Sequence, residues 1–355
     1  MKKLLTILFL ISTLTTAHST LTADPSERPL LPKKELRQAI NAHDRAVHIH
    51  DHWIRDPYIY LNDDGYYYLT GTTLKTEEDG VIGIPAWRSK NLITWEKLDR
   101  LWAMTDSSWL PEKHGGRHNV PETLVWAPEF YKFNDRWVIT HTTNAGVANI
   151  MVNDSPELKG PWTELMGKNF GKHHDPAFYF EDGKPWLVWG VLDLQEMSPD
   201  FSSFAGEKKR YAPSDRKMGH EGSYIIKVGE KYVWFGTAWS TDTMRHGTYN
   251  LYYATADSLH GPYGERRFAG RFLGHGTPFQ DKKGRWWCTA FYNANKPTVP
   301  AEQAASMDLT DTAYTINPFG TTIVPLEIEE RNGDVFVNAK DPNYASPGPE
   351  EVQQF

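Results

Sequence analysis

Five segments of the chain repeat one pattern, and this repetition constrains the fold more than any other feature of the sequence. Each segment begins with acidic or small polar residues, continues as an alternating apolar run, and passes through a polar turn into an aromatic strand. The segments begin at Arg55, Trp126, His174, His220 and Gly274. Gly- and Asp-containing turns between alternating apolar runs are typical of β-hairpins, because tight hairpin turns need positive φ angles. The sequence therefore predicts five copies of one hairpin-based unit.

A second recurring element follows three of these hairpins, in residues 86–95, 153–162 and 256–263. We expect it to supply the outer strands of four-stranded sheets. The repeats start about 46 to 72 residues apart, close to the roughly 40 to 50 residues of a propeller blade with variable insertions. We therefore expect an all-β fold, a five-bladed β-propeller with one central channel.

Helical periodicity is scarce, and its best example lies in residues 32–45, where Leu36 and Ile40 share one face. A short helical arm therefore precedes the propeller. The predicted boundaries are a signal peptide at 1–17, an N-terminal arm at 18–52, the propeller at 53–340 and a C-terminal tail at 341–355. The tail is rich in Pro, Gly and Glu, and we expect it to fray.

The first residues of the chain predict export. Two lysines precede an apolar run from Leu4 to Leu14, and a small-residue site ends at Ala17. This order is that of a secretory signal peptide, and the run is shorter than the roughly 20 residues that span a bilayer. We expect a periplasmic or secreted protein. Because Cys288 is the only cysteine, an intramolecular disulfide is excluded and the core must supply the stability.

The charge balance excludes two classes of partner. Lys and Arg number 38 and Asp and Glu number 45, so the formal net charge is −7 at pH 7. Nucleic-acid binding needs a basic surface that neutralises phosphates, and an anionic membrane needs the same. We therefore expect neither a nucleic acid nor a membrane as partner, and the sequence leaves the oligomeric state open.

The first strand of every blade lines the channel of a propeller, so the leading residues of the five segments converge. The converging residues are Asp56, Glu129, Asp175, Glu221 and His275, with Arg55, His174 and His220 beside them. Several carboxylates around one hole repel one another and have shifted pKa values, which a purely structural ring does not need. Glycosidic cleavage uses such a set, with one carboxylic acid protonating the leaving oxygen and one carboxylate activating water.

At these positions the chain resembles glycoside hydrolase family 43. The matching motifs are Arg-Asp-Pro at 55–57, Trp-Ala-Pro-Glu at 126–129, His-Asp-Pro at 174–176, Glu-Gly at 221–222 and Gly-His-Gly at 274–276. The resemblance implies an inverting hydrolase of a plant or algal polysaccharide or oligosaccharide, with Asp56 as general base and Glu221 as general acid. It implies that Asp175 sets the pKa and orientation of that acid. It further implies that His275 helps hold a structural, hydrated Ca²⁺ on the axis, and that the chemistry needs no cofactor.

Two departures from the family pattern keep alternatives open. Ser223 follows Glu221-Gly222 where the family usually has Pro, and His220 precedes the acid. The His-Glu pair is similar to the family 117 enzymes that act on anhydrogalactose ends, so His220 is an alternative acid. A retaining fructan-type hydrolase is disfavoured because Arg55 stands where that group has Asn. A propeller that binds carbohydrate without cleaving it is the alternative from another class.

Sugars are held by aromatic faces and by polar groups placed at hydroxyl pairs. Trp53, Trp126 and Trp239 are the predicted aromatic faces, and His174 and His220 are predicted polar contacts. Arg55 is either a clamp for hydroxyl or carboxylate groups or part of an ion pair between blades. His48, His50 and His52 alternate, but without accompanying cysteines we interpret them as a strand and not as a zinc site.

Overall fold

The computed structural model describes residues 30–73, 79–114, 120–191 and 193–355. The predicted signal peptide at 1–17 lies outside the described residues. Five sheets of at least four strands follow one another along the chain, and each of the five predicted hairpins forms the inner pair of one sheet. The all-β, five-bladed propeller is therefore confirmed. Within the described ranges, neither helix is long and apolar enough to cross a membrane.

The chain enters through helix α1 (Lys33–Ala42) and strand β1 (Val47–His50). The first blade contains β2 (Arg55–Leu61), β3 (Tyr67–Thr72), β5 (Trp87–Ser89) and β6 (Glu96–Lys97), with a separate pair formed by β4 (Gly83–Ile84) and β7 (Trp102–Ala103). The second blade contains β8 (Val125–Phe133), β9 (Arg136–Thr143), β10 (Ala148–Asn153) and β11 (Thr163–Glu164). Strands run in chain order and are antiparallel in both blades.

The third and fourth blades repeat this plan. The third contains β12 (Ala177–Glu181), β13 (Lys184–Trp189), β14 (Asp193–Glu196) and β15 (Lys209–Arg210). The fourth contains β16 (Glu221–Val228), β17 (Lys231–Trp239), β18 (Tyr249–Ala256) and β19 (Arg267–Gly270). The largest fully buried side chains include Trp137 and Trp234, one on the second strand of each of two blades. The aromatic second strands therefore fill the space between blades.

The fifth blade closes the ring with a strand from the other end of the chain. It contains β20 (Pro278–Gln280), β21 (Trp286–Ala290) and β22 (Thr321–Arg331). Helix α2 (Ala301–Ala304) precedes β22, and β23 (Asp334–Ala339) pairs with the second half of β22. Strand β1 pairs antiparallel with β22, with Val47 opposite Ile323. Residues 47–50, which the sequence analysis placed in the arm, are thus a strand of this blade. The pairing of β1 with β22 closes the ring of blades through hydrogen bonds, without a covalent link.

The alternating histidines lie in or beside this closing strand. His50 is buried against the Trp87 ring at 4.8 Å between centroids. Burial lowers the pKa of its imidazole to about 3, so it stays neutral at physiological pH. His48 and His50 lie in β1 and His52 follows it, in agreement with the interpretation as a strand.

The C-terminal segment packs against the fourth blade, which corrects the expectation that it frays. Glu350 is 1% exposed and pairs with Arg271 at 2.8 Å. The backbone N–H of Val352 donates to the carbonyl oxygen of Ser240 at 2.8 Å. Composition predicted fraying, but a buried ion pair and backbone hydrogen bonds hold this segment in place, because the tertiary structure supplies partners that the tail itself lacks.

The closing strand generates a stability prediction. Ile49 is fully buried on β1, so Ile49→Ala should lower the free energy of unfolding by about 2–5 kcal/mol through lost burial and a residual cavity. Leu31→Ala is the matched control, since Leu31 is 47% exposed and should change stability by less than about 0.5 kcal/mol. Urea denaturation measures both. Equal effects would show that β1 does not hold the fifth blade.

Candidate active site

The predicted carboxylates face the channel because the backbone leaves ordinary strand geometry where the blades begin. Asp56 and Asp175 have φ angles of 51° and 45°, a left-handed conformation that costs a non-glycine residue about 1–3 kcal/mol. The ladder register shifts between Arg55 and Tyr58, as at a β-bulge. Bulges re-aim side chains away from the pleat. The distortion directs the leading carboxylates towards the axis.

Gly222 also has a left-handed conformation, and here the neighbouring side chains leave no space for a Cβ atom. Its φ is 69°, and a Cβ at this position would lie 2.8 Å from Cδ2 of His275 and 2.9 Å from Oγ1 of Thr237. No side chain fits there. The glycine after Glu221 therefore allows the fourth blade to approach the axial histidine.

A pocket of about 330 Å³ lies where the blades converge. Its wall contains Trp53, Arg55, Asp56, Thr72, Leu124, Trp126, His174, Asp175, Glu221 and Arg245. All three predicted catalytic carboxylates belong to this wall, as do four of the six predicted substrate contacts. A volume of this size, with aromatic walls and a few convergent polar groups, is typical of a small-ligand site.

Carboxylates and imidazoles alternate across the pocket floor. The Nδ1 atom of His275 lies 3.5 Å from Asp56 and 3.6 Å from Asp175. The Nε2 atom of His174 lies 3.4 Å from Asp175 and 3.1 Å from Glu221. Asp56 and Glu221 thus stand at the two ends of a chain of contacts. An imidazole separates each neighbouring pair of acids, which reduces their repulsion.

This arrangement shifts the pKa values of the central groups. The charge of Asp175 raises the pKa of His174 to about 9, so His174 is a cation at neutral pH. Burial raises the pKa of Asp175 to about 6, against the opposing effect of the two imidazoles. Burial alone lowers the pKa of His275, but the surrounding carboxylates outweigh it and raise that pKa.

Glu221 is held in its charged form. Burial favours its neutral form, but the hydrogen bond with His174 and the charges of both imidazoles outweigh burial, and the pKa of Glu221 falls well below its usual range. Its Oε1 atom also accepts a hydrogen bond from the Tyr249 hydroxyl at 2.7 Å. The resemblance implies that Asp175 sets the pKa of Glu221. Here the imidazole of His174 lies between the two acids, so Asp175 acts on Glu221 mainly through the charge of His174.

The predicted base is oriented by a relay between two blades. The backbone N–H of Ala127 donates to Oγ1 of Thr72, which in turn donates to Oδ2 of Asp56, each at 2.7 Å. Thr72 sits opposite Arg55 in the β2–β3 ladder. One oxygen of Asp56 is therefore held in place by the second blade.

Glu129 is buried and does not belong to the wall of the 330 Å³ pocket. Burial raises the pKa of its carboxyl group to about 8, so it is mainly neutral at pH 7. It accepts a hydrogen bond from the hydroxyl of Tyr131, and that hydroxyl also accepts from the backbone N–H of Phe178 at 3.0 Å. Glu129 therefore anchors a contact between the second and third blades.

Two of the predicted sugar contacts lie elsewhere. Trp239 is buried and stacks on Tyr249 with 4.6 Å between ring centroids, so it supports the tyrosine and is not part of the wall of the 330 Å³ pocket. His220 lines a neighbouring groove, with its ring 5.0 Å from that of Phe355. Burial lowers the pKa of His220. The imidazole that contacts Glu221 belongs to His174 and not to His220. Successive side chains of a strand point to opposite faces.

Four residues of the site were not predicted from the sequence: Arg245, Tyr249, Thr72 and Leu124. Arg245 and Tyr249 contribute to this site from the loop after β17 and the start of β18, outside the repeated leading motifs. Thr72 ends the aromatic strand of the first hairpin, so its pairing opposite Arg55 was available from the hairpin register. No local signal marks Arg245 or Leu124.

The surroundings of His275 do not form a calcium cage. Calcium takes six to eight oxygen ligands, whereas His275 offers an imidazole whose Nδ1 faces two carboxylates. In the described part of the chain, the one cluster with metal-ligand spacing is His174, Asp175 and Glu221, and it does not include His275. The axial calcium ion stays a prediction.

Comparison with known proteins gives a family match and structural neighbours. The model of the family described as "Glycosyl hydrolases family 43" matches residues 49–312. A bifunctional GH43-CE protein of Bacteroides eggerthii is 20% identical, with a TM-score of 0.58, over 86% of this chain and 38% of its own. An endo-1,4-beta-xylanase of Bacteroides thetaiotaomicron is 20% identical, with a TM-score of 0.58, over 82% and 96%.

A third neighbour is an exo-1,5-alpha-L-arabinanase from a bovine ruminal metagenomic library. It is 17% identical, with a TM-score of 0.55, over 82% of this chain and 98% of its own. At these identities the structural neighbours establish a shared fold. The chain spans well under half the length of the Bacteroides eggerthii protein, and nearly the full length of the other two.

The buried Glu129 generates a pH prediction. Its pKa is about 8 when folded against an ordinary 4.5, so folding retains a proton that unfolding releases. Its stabilising contribution is complete below about pH 4.5 and is lost as the pH rises to about 8. Glu129→Gln should keep the contact with Tyr131 and remove this loss. Between pH 5 and 8, the free energy of unfolding of the variant should therefore rise relative to that of wild type by more than about 1.4 kcal/mol, the equivalent of one pKa unit.

Urea denaturation at both pH values measures this difference. Glu230→Gln is the control, because Glu230 is an exposed acid in the β16–β17 turn. It should leave the pH dependence unchanged. Parallel profiles for wild type and Glu129→Gln would contradict the assignment of a neutral, buried carboxyl group.

Proposed function

The chain belongs to glycosyl hydrolase family 43, and on that premise we propose that it hydrolyses glycosidic bonds of a plant or algal polysaccharide with inversion at the anomeric carbon. The observation that carries the proposal is the convergence of Asp56, Asp175 and Glu221 on one pocket of about 330 Å³. These residues come from three different blades, and their charge cluster costs stability that a purely structural site does not need.

Asp56 is the proposed general base. Its carboxylate accepts a hydrogen bond from Thr72 on one oxygen, which leaves the other oxygen for a water molecule. The base removes a proton from this water as its oxygen attacks the anomeric carbon. Inverting enzymes keep their two carboxyl groups about 6.5–9.5 Å apart to admit that water. Asp56 and Glu221 stand at opposite ends of the contact chain, which supports this arrangement.

Glu221 and His174 together form the proposed acid. In the free site the proton resides on His174, 3.1 Å from Glu221, and such a coupled pair titrates as a unit. The proton passes through Glu221 to the departing glycosidic oxygen while the bond to the anomeric carbon breaks. Asp175 contacts both His174 and His275 and so positions the pair.

The polymer class is proposed from several observations together. Neighbouring structures include a xylanase and an arabinanase, and Trp53 and Trp126 line the pocket as faces for sugar rings. Export through the predicted signal peptide fits a substrate outside the cytoplasm. A polysaccharide is thus the proposed partner. Export of the protein through a signal peptide at 1–17 is a proposal as well.

A substrate panel tests the function. The panel contains aryl α-L-arabinofuranoside, aryl β-xyloside, arabinan, galactan and neoagaro-oligosaccharides. We expect sugar release from at least one member, and NMR at early times should show the first product with inverted anomeric configuration. Product with retained configuration would contradict the mechanism. Binding without any product would favour the carbohydrate-binding propeller, and release from neoagaro-oligosaccharides alone would favour action on anhydrogalactose ends.

Asp56→Asn should abolish turnover on the active substrate. Losing the base removes proton abstraction from water, so kcat/KM should fall by about 10²–10⁴-fold or more while the fold stays intact. Asp63→Asn is the matched control, since Asp63 is exposed in the β2–β3 turn, and it should keep full activity. Circular dichroism and thermal unfolding check the fold. Retained activity in Asp56→Asn would remove Asp56 from the mechanism.

The acid pair predicts the pH profile. In wild type the alkaline limb of kcat/KM should fall near pH 9, where His174 loses its proton. His174→Asn leaves Glu221 to carry the proton alone, so that limb should move to lower pH by about one unit or more. His260→Asn, an exposed histidine on the outer side of the blades, should not move it. An unmoved limb with a merely lower rate would mean that His174 only supports the structure.

A further inference from the structure

Two arginines face the pocket without a carboxylate partner. Arg55 and Arg245 both line the 330 Å³ pocket, and both also line an adjoining side cavity of about 50 Å³. Arg55 donates to Oδ1 of Asn293 at 3.2 Å and lies over the Phe291 ring, while its Nε atom is buried with no hydrogen-bond partner. The ion pair between blades that was one alternative for Arg55 is therefore not formed with any residue that the structure describes.

Arg245 is more isolated than Arg55. It forms no hydrogen bond or ion pair with the described residues, and it has a left-handed φ of 63° in the loop between β17 and β18. Burial and the nearby charge of Arg55 both lower the pKa of its guanidinium. Like charges placed together in a partly buried site repel strongly. The charges of Glu221 and Asp56 act on that pKa in the opposite direction. The fold therefore holds two cations near each other, at a cost that these carboxylates offset in part.

The charges of the pocket carboxylates are shared with nearby imidazoles. Asp175 and Glu221 lie within 3.4 Å of His174, and Asp56 lies 3.5 Å from His275. Each acid thus has an imidazole as its close partner. Three carboxylates against two imidazoles and two guanidinium groups leave at most one surplus positive charge, which one singly charged anionic group on a bound sugar would balance.

The side cavity has the size and lining of a niche for one small anionic group. Its volume of about 50 Å³ exceeds the roughly 30 Å³ share of one water molecule but excludes a sugar ring. Besides the two arginines, it is lined by Asn293, Tyr249, His220, Trp239, Met244 and Glu221. Asn293 carries an amide donor, whereas the Tyr249 hydroxyl already donates to Glu221. Guanidinium groups match the paired oxygens of a carboxylate or sulfate.

We propose that this niche binds an acidic substituent, a carboxylate or a sulfate ester, on the sugar ring whose glycosidic bond is cleaved. The inference rests on the proposed function and names its substrate class, acidic sugars in place of neutral ones. Arg55 directly precedes the base Asp56 in the chain and shares the main pocket with it. The niche is also lined by Glu221, so the substituent lies next to the bond that is cleaved.

Calorimetric titration of the full chain with paired monosaccharides tests the proposal. The pairs are galacturonate with galactose, glucuronate with glucose, and galactose 6-sulfate with galactose. We expect the acidic member of at least one pair to bind tenfold or more tightly than its neutral partner. A preference for the uronates identifies a carboxylate, and a preference for the sulfated sugar identifies a sulfate ester.

Variants connect this preference to the niche. Arg245→Gln should reduce the acidic preference to less than about twofold, and Arg245→Lys, which keeps the charge but not the planar fork, should retain part of it. Arg45→Gln is the matched control, because Arg45 is an exposed arginine with 68% of its side chain accessible, and it should bind like wild type. Thermal unfolding checks that each variant is folded.

The outcomes separate this inference from the proposed function. Equal binding within every pair, or no binding by any acidic sugar, overturns the inference even if Asp56-dependent hydrolysis of neutral glycans is found. An acidic preference that survives in Arg245→Gln also overturns it. An acidic preference lost in that variant, together with no hydrolysis of any glycan, supports the niche and overturns the proposed hydrolase.

Discussion

The alternation of carboxylates and imidazoles across the channel is the interaction on which the rest of the site depends. Asp56, Asp175 and Glu221 share one pocket, and their mutual repulsion would raise their pKa values or push them apart. His275 and His174 stand between them within 3.6 Å of each neighbour. The histidines make it possible for three acids to remain together in a partly buried space.

That alternation requires exact placement of residues from several blades. The closed ring of five sheets supplies the frame, and β1 completes it by pairing with β22. Local backbone distortions then direct the carboxylates into the channel, since Asp56 and Asp175 take left-handed conformations where their blades begin. Strain of this kind persists only where surrounding structure over-determines it. A rigid ring is thus the condition for a strained, charged centre.

The electrostatics of the pocket also organise its chemistry. In the proposed mechanism, the proton that reaches the leaving group is held on His174, next to Glu221, because Asp175 stabilises the imidazolium. At the other end Asp56 is held by Thr72 and remains an acceptor. Arg55 and Arg245 are outside this chain of contacts, and we propose that they bind an acidic substituent of the sugar. In these proposals the reaction depends on the carboxylates and imidazoles, and the selectivity for substrate depends on the two guanidinium groups.

The sequence alone was sufficient for the five hairpins, the propeller and the meeting of its leading carboxylates, because turn chemistry and strand alternation are local and repeat along the chain. It did not reveal Arg245, the burial of Trp239 behind Tyr249, or the tail packed on the fourth blade. It also did not reveal that the imidazole of His174 lies between Asp175 and Glu221. These features were decided by tertiary structure alone, since loop paths, the burial of each side chain and the imidazole between two acids arise only when distant segments meet.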